Sequence, residues 1–244
     1  MSDLLSGKTV LVTAAAGTGI GFAAAKRCVE EGARVFLSDA HERRLAESAK
    51  KLDAPSRVCN VTDEAQVRAL VEAAIAELGH VDVLINNAGL GGTKLLVDME
   101  DDEWSRVLDI TLTGTMRMTR AMLRKMQPRG AGVIVNNASV LGWRAQREQC
   151  HYAAAKAGVM ALTRCSALEA ADHGVRINAV APSIAFHEFL KKVTPMELLE
   201  ELAAKEAFGR AAEVWEIANV MMFLASDYSG YMTGEIVPVS SQRA

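Results

Sequence analysis

The chain has 244 residues, half of them hydrophobic and 23% charged, with a net charge of −3. That balance belongs to a globular protein and excludes both an intrinsically disordered chain and the strong basic footprint of a nucleic-acid binder. No apolar run reaches 18 residues, so no membrane span is expected, and the N-terminal stretch MSDLLSGKTVLVTAAAG lacks the pattern of a signal peptide. Four scattered cysteines (Cys28, Cys59, Cys150, Cys165) form no CxxC pair, which fits reduced thiols in a cytoplasmic protein better than a disulfide framework or a zinc site. The five histidines have no metal-ligand spacing, and no metal is expected.

Short apolar runs alternate with helical stretches along the whole chain. Strands are expected at 8–14, 33–39, 56–61, 81–89, 132–139, 175–182 and 234–240. A helix over 19–31 ends at Gly32, a polar helix runs to about Leu52, and Asp63 caps a helix that Gly79 terminates. Residues 101–127 read as helical up to Pro128, residues 150–172 as an alanine-rich helix, and 186–225 as two or three helices. Alternating strands and helices imply right-handed crossovers. The fold class is therefore α/β: one doubly wound, Rossmann-type domain over 1–244, with a seven-stranded parallel sheet and helices on both faces. Ligands in this architecture sit at the carboxyl ends of the strands.

The first strand runs into Thr13-Ala-Ala-Ala-Gly17-Thr-Gly19-Ile20-Gly21, which opens a helix. Glycines there let the backbone approach a pyrophosphate, and the helix N-terminus offers free N–H groups. Asp39 ends the second strand, twenty positions after Gly19. It suits the ribose of NAD and repels the 2′-phosphate of NADP, although it also suits a helix N-cap. His41, Arg43 and Arg44 follow closely and could accommodate that phosphate, so NADP stays open. Asn86-Asn87-Ala88-Gly89 after the fourth strand reads either as a turn or as a segment that pins strands beside the cofactor.

Tyr152 and Lys156 are four apart on a helix and share a face. A neighbouring ammonium is expected to lower the phenol's pKa, making Tyr152 a general acid/base toward an alcohol or carbonyl while hydride moves to or from nicotinamide. Ser139, thirteen residues before Tyr152, could bond the same substrate oxygen. Cys150 and His151 point to other helical faces and are assigned no chemistry.

The glycine turn, Asp39, NNAG at 86–89, Ser139 with Tyr152 and Lys156, and Asn178 with Pro182 occur in the order found in short-chain dehydrogenases/reductases, which the chain resembles over essentially its whole length. The resemblance implies that Tyr152 is the acid/base, that Lys156 holds the nicotinamide ribose and tunes Tyr152, and that Ser139 orients the substrate oxygen. It implies cofactor contacts from Thr13, Gly17, Gly19, Ile20, Asp39, Asn60, Val61, Asn87, Ala88, Gly89, Pro182 and Ile184. It further implies a homotetramer packed partly through 101–127 and 150–172.

The chain departs from the family at several points. Ala14 stands where the family has a glycine, and the turn is one residue longer. Asn60 replaces an aspartate beside the adenine. Thr111 replaces the catalytic asparagine but keeps the main-chain carbonyl of a proton relay. Ser183 replaces a glycine, His187 stands at a nicotinamide-contacting threonine, and the tail reads PVSSQRA. GTGIG, PSIAFHEFL, EAFGRAAE and VSSQRA resemble a steroid-catabolic subgroup acting on a bicyclic hexahydroindene CoA thioester. The apolar stretch 186–208 (Phe186, Phe189, Leu190, Val193, Met196, Leu198, Leu199, Leu202) suits a lid over a bulky substrate, or a helix pair packing on its own core. Lys191, Lys192 and Lys205 could meet CoA phosphates, and Trp143, Arg144 and Arg147 lie near the site mouth. The expected partner is a CoA-linked small molecule, with no nucleic acid and no membrane. The competing readings are a 3-oxoacyl thioester reductase of fatty-acid synthesis and a catalytically silent dinucleotide-binding protein.

Overall fold

The computed structural model describes residues 3–186, 190 and 195–241. Seven parallel strands form one sheet in the order β3-β2-β1-β4-β5-β6-β7. They are β1 (Thr9–Val12), β2 (Arg34–Asp39), β3 (Ser56–Val58), β4 (Val83–Asn86), β5 (Gly132–Asn137), β6 (Val175–Pro182) and β7 (Ile236–Val239). The helices are α1 (Ile20–Glu30), α2 (Glu42–Leu52), α3 (Glu64–Leu78), α4 (Asp101–Leu108), α5 (Gly114–Met126), α6 (Cys150–Ala171), α7 (Met196–Ala204) and α8 (Val214–Ala225). The sequence-derived architecture holds: a single Rossmann-type domain with helices on both faces.

Strand alternation explains the continuous apolar runs. Val10, Val12, Val35, Leu37, Val83 and Ile85 pack with α1 and α8 on one face, while Leu11, Phe36, Leu84, Ile134 and Ile177 pack with α3, α5 and α6 on the other. Asp63 caps α3 as expected, its Oδ1 accepting from the N–H groups of Ala65 at 2.8 Å and Gln66 at 3.1 Å.

Most strands are shorter than the sequence reading, and three departures shape the fold. The third strand stops at Val58, because Asn60 turns the chain by accepting from Thr62 N–H at 3.1 Å. The stretch 101–127 is not one uniform α-helix: a π turn, Asp109–Thr113, separates α4 from α5. The last strand is only four residues long and contains Pro238, so it lies at one sheet edge opposite the three-residue β3.

The strand order reverses between β1 and β4. The crevice at their carboxyl ends is therefore the switch point at which ligands bind in this architecture.

Candidate active site

A cavity of about 1650 Å³ opens at that switch point. Pockets for drug-sized ligands occupy roughly 300–1,000 Å³, so this one has room for a dinucleotide and a second molecule together. Every catalytic and cofactor-binding candidate except Thr111 lines it.

At one end the glycine turn is tied down from several sides. The Thr13 hydroxyl accepts from Asn87 N–H at 2.9 Å and Ala88 N–H at 3.1 Å, which locks the NNAG segment to the first strand. Asn87 Nδ2 donates to the Ala14 carbonyl at 3.2 Å, and Asn137 Nδ2 donates to Asn87 Oδ1 at 2.8 Å. NNAG therefore pins neighbouring strands, as one of its two sequence readings held. Gly21 is required by close approach: a β-carbon there would lie 2.2 Å from the Ala14 carbonyl oxygen and 2.5 Å from Asn87 Nδ2. Gly17, Gly19 and Ile20 form the cavity floor, where the first turn of α1 leaves N–H groups without intrahelical acceptors.

Asp39 accepts from Ala16 N–H at 3.1 Å and from His41 N–H at 2.8 Å. The N-cap position of α2 is His41, so the capping alternative for Asp39 does not hold. Each carboxylate oxygen keeps a further lone pair, and the residue lines the cavity. Arg43 and Arg44 line the same end, and Arg44 Nε is buried without a hydrogen-bond partner among the described residues. Asn60 and Val61 border it from the loop after β3, and Pro182 and Ile184 from the end of β6.

At the other end stand Ser139, Tyr152 and Lys156. Ser139 follows β5, accepts from Leu141 N–H at 3.2 Å, and lines the cavity with Tyr152, where its hydroxyl favours the ionised phenol. Lys156 is buried, lies 5.6 Å from the Tyr152 ring centre, and donates to the Asn137 carbonyl at 2.5 Å. Burial lowers its pKa to about 8. The phenol departs from the sequence expectation. Burial pushes its pKa above the usual value of 10, with the Ser139 hydroxyl opposing, where the sequence reading expected a lowering.

Thr111 lies behind the cavity wall, fully buried in the π turn. Its hydroxyl accepts from Leu90 N–H at 2.9 Å and donates to the Leu90 carbonyl at 3.0 Å. The main-chain carbonyl at 111 accepts the Thr115 hydroxyl at 2.7 Å, a partner the sequence reading did not foresee. Asn137 was also missed: its carbonyl is the acceptor for Lys156, and main-chain roles leave no mark on residue type. His151 is fully buried and bonds the Tyr152 amide through Nδ1 at 2.9 Å.

On the substrate side Leu190, Leu198, Leu199, Leu202, Arg144 and Lys205 line the cavity, whereas Trp143 and Arg147 do not. His187, Phe189, Lys191, Lys192 and Val193 lie outside the described residues. Among the described residues no helix is long and apolar enough to cross a membrane, and no group of three or more His, Cys, Asp or Glu side chains could hold a metal.

A family profile described as Enoyl-(Acyl carrier protein) reductase matches residues 14–241. The chain belongs to the short-chain dehydrogenase/reductase family. It is an oxidoreductase of the kind that interconverts an alcohol and a ketone, in a family that uses nicotinamide dinucleotides. It is 63% identical, over 98% of its length and 94% of the relative's, to a protein of Mycobacterium tuberculosis named (5R,7aS)-5-hydroxy-7a-methyl-1-oxo-2,3,5,6,7,7a-hexahydro-1H-indene-carboxyl-CoA reductase. It is 36% identical to a 3-oxoacyl-acyl-carrier-protein reductase of Thermotoga maritima, covering 96% of this chain and 97% of the relative. Among solved structures, a short chain dehydrogenase from Mycobacterium smegmatis matches with TM-score 0.88 and 57% identity, over 99% of this chain and 95% of that one. An NAD+-bound xylitol dehydrogenase matches with TM-score 0.90 and 31% identity, over 98% and 99%.

Proposed function

We propose that the protein is an NAD-dependent, cytoplasmic, homotetrameric dehydrogenase/reductase acting on a bulky apolar CoA thioester of the kind left by steroid ring degradation. The observation that carries the chemistry is the meeting of Ser139, Tyr152 and Lys156 at one end of a cavity whose other end holds the glycine turn and Asp39. The residues fit a dinucleotide: a β-carbon at Gly21 would collide with the turn, the first-turn N–H groups of α1 suit a pyrophosphate, and Asp39 suits an unphosphorylated ribose. Asn60 and Val61 would hold the adenine, Asn87, Ala88 and Gly89 line the path between the two ends, and Pro182 and Ile184 would hold the nicotinamide.

The nicotinamide, when bound, supplies the acceptor or donor of hydride. Tyr152 takes the proton from the alcohol, or gives it to the ketone oxygen. Ser139 donates a hydrogen bond to that oxygen and orients it. Lys156 sets its positive charge beside the phenolate as it forms, held in place by the Asn137 carbonyl, and would hold the nicotinamide ribose. Thr111 braces the Leu90 main chain behind the site.

The substrate class rests on the 63% identical relative and on the leucines of the segment over the site, read as a lid spanning about 186–208. Arg144 and Lys205 face the cavity as cations for CoA phosphates.

Turnover of the hexahydroindene CoA thioester, followed at 340 nm, tests this reading. Tyr152→Phe is expected to lower kcat by roughly 10²–10⁴-fold while the Kd for NAD stays within about two-fold. An unchanged rate removes Tyr152 from the mechanism. Preference for NADPH with short 3-oxoacyl thioesters reassigns the protein to fatty-acid reduction, and NAD binding without turnover of either substrate leaves a silent binder.

A further inference from the structure

His151 sits beside the proposed acid/base. It is 0% exposed, in the first turn of α6. Its Nδ1 accepts from the main-chain N–H of Tyr152 at 2.9 Å. A neutral imidazole carries one N–H, so accepting at Nδ1 places the proton on Nε2. That Nε2 is buried and has no hydrogen-bond partner among the described residues. It is aimed at Gly92, where an added β-carbon would lie 3.2 Å from Nε2 and 3.9 Å from Glu103 Oε1. One residue earlier, a β-carbon on Gly91 would lie 3.4 Å from Cδ2 of the Tyr152 ring. A side chain at Gly92 would thus crowd the His151 ring, whereas one at Gly91 would reach only ordinary contact with Tyr152.

Beyond Gly92 lies a second cavity of about 570 Å³, bordered by His151, Glu100, Asp102, Glu103 and Arg106. Those four charged groups face the imidazole from α4 and its approach. Tyr152 and Lys156 belong to its own helix, and the packed segment 88–93 brings no charge. The three carboxylates favour an imidazolium, while burial and the cations oppose it. Imidazolium would carry hydrogen on Nδ1 as well, and Nδ1 could then no longer accept the Tyr152 N–H.

We propose that His151 is a positioning residue. Its neutral ring holds the Tyr152 amide and so fixes the phenol against Ser139, and protonation at Nδ1 releases that hold. Turnover then falls on the acid side without loss of dinucleotide binding. The direction of the His151 shift, downward through burial with Glu103 opposing, keeps the ring neutral at pH 7. This proposal rests on the reading of Tyr152 as the acid/base.

The test compares His151→Ala and His151→Asn, since the Asn Oδ1 can stand where Nδ1 stood but does not titrate. Three readouts are followed across pH 5–9: kcat with the hexahydroindene CoA thioester, the Kd for NAD, and phenol ionisation at 295 nm with the Tyr152→Phe signal subtracted. His151→Ala is expected to lower kcat about ten-fold at pH 7.5, to leave the Kd for NAD within about two-fold, and to move Tyr152 ionisation to lower pH as water reaches the loosened phenol. His151→Asn is expected to retain most of kcat and the wild-type phenol ionisation, and to lose the acid limb of the rate profile. If His151→Asn is as impaired as His151→Ala, or keeps the wild-type acid limb, the proposal is overturned. It is equally overturned if neither variant changes kcat and phenol ionisation. The ionisation measurement needs no turnover, so it decides the positioning role even if the substrate reading fails. Full activity in Tyr152→Phe would mark that separate failure.

Discussion

At the scale of single residues, the site carries a conflict between stability and chemistry that centres on Lys156. Its ammonium is buried at 3% exposure with the Asn137 carbonyl as its hydrogen-bond acceptor, and its pKa drops from 10.5 to about 8. Below pH 8 the folded and unfolded chains both hold the proton, so the cost of burying the charge is complete; at about 1.4 kcal/mol per unit it is of the order of 3 kcal/mol. Between pH 8 and 10.5 the folded chain gives up the proton first, and stability rises with pH. Lys156→Met is therefore expected to raise the thermal midpoint by a few degrees at pH 7 while abolishing turnover, with the gain shrinking above pH 8; calorimetry across that range checks it. Much of this site was legible in the sequence. A strand-end serine and a tyrosine four residues from a lysine are patterns of residue type and spacing. The direction of the phenol's shift was not legible, because it depends on how deeply the ring lies. His151 escaped for a different reason. Adjacent helical side chains do diverge, but its nitrogen bonds the neighbour's main chain, which side-chain spacing does not address.

At the scale of elements, the turn between β1 and α1 is a strained unit. Ala14 has φ +49°, in the left-handed region where a non-glycine residue costs roughly 1–2 kcal/mol. Hydrogen bonds from Asn87 to the Ala14 carbonyl and from Ala16 to Asp39 hold the turn in that form. The added residue relative to the family pattern was visible in the sequence, whereas the left-handed alanine was not. Gly21→Ala would drive a methyl group into the same carbonyl. It is expected to weaken NAD binding at least about ten-fold and to cost about 1–3 kcal/mol in chemical denaturation. Loss of affinity with unchanged stability would mean that the turn yields to the methyl without strain. The π turn between α4 and α5 was likewise hidden, because the apolar periodicity of 101–127 continues through it. Its effect is local: it carries Thr111, whose hydroxyl bonds both main-chain groups of Leu90.

At the scale of the whole molecule, the sheet separates two apolar layers, and the cysteines sample both. Cys28 is buried with α1 and α8, and Cys59 with α3 and α5. Burial raises their pKa values to about 12 and about 11, so neither supplies thiolate near neutral pH. Cys150 and Cys165 are exposed. A colorimetric disulfide reagent is expected to reach Cys28 and Cys59 only after unfolding; four fast thiols in the native protein would contradict the packing of both layers. The order of the strands followed from the alternation of elements, but where the sheet ends did not. One end is β3, three residues long, and the other is β7, in which Pro238 offers no N–H. A strand from another chain would find too short a ladder on one side and a missing donor on the other. The sheet is thus self-limiting: both borders disfavour the addition of a further strand, and with it edge-to-edge growth from a folded molecule.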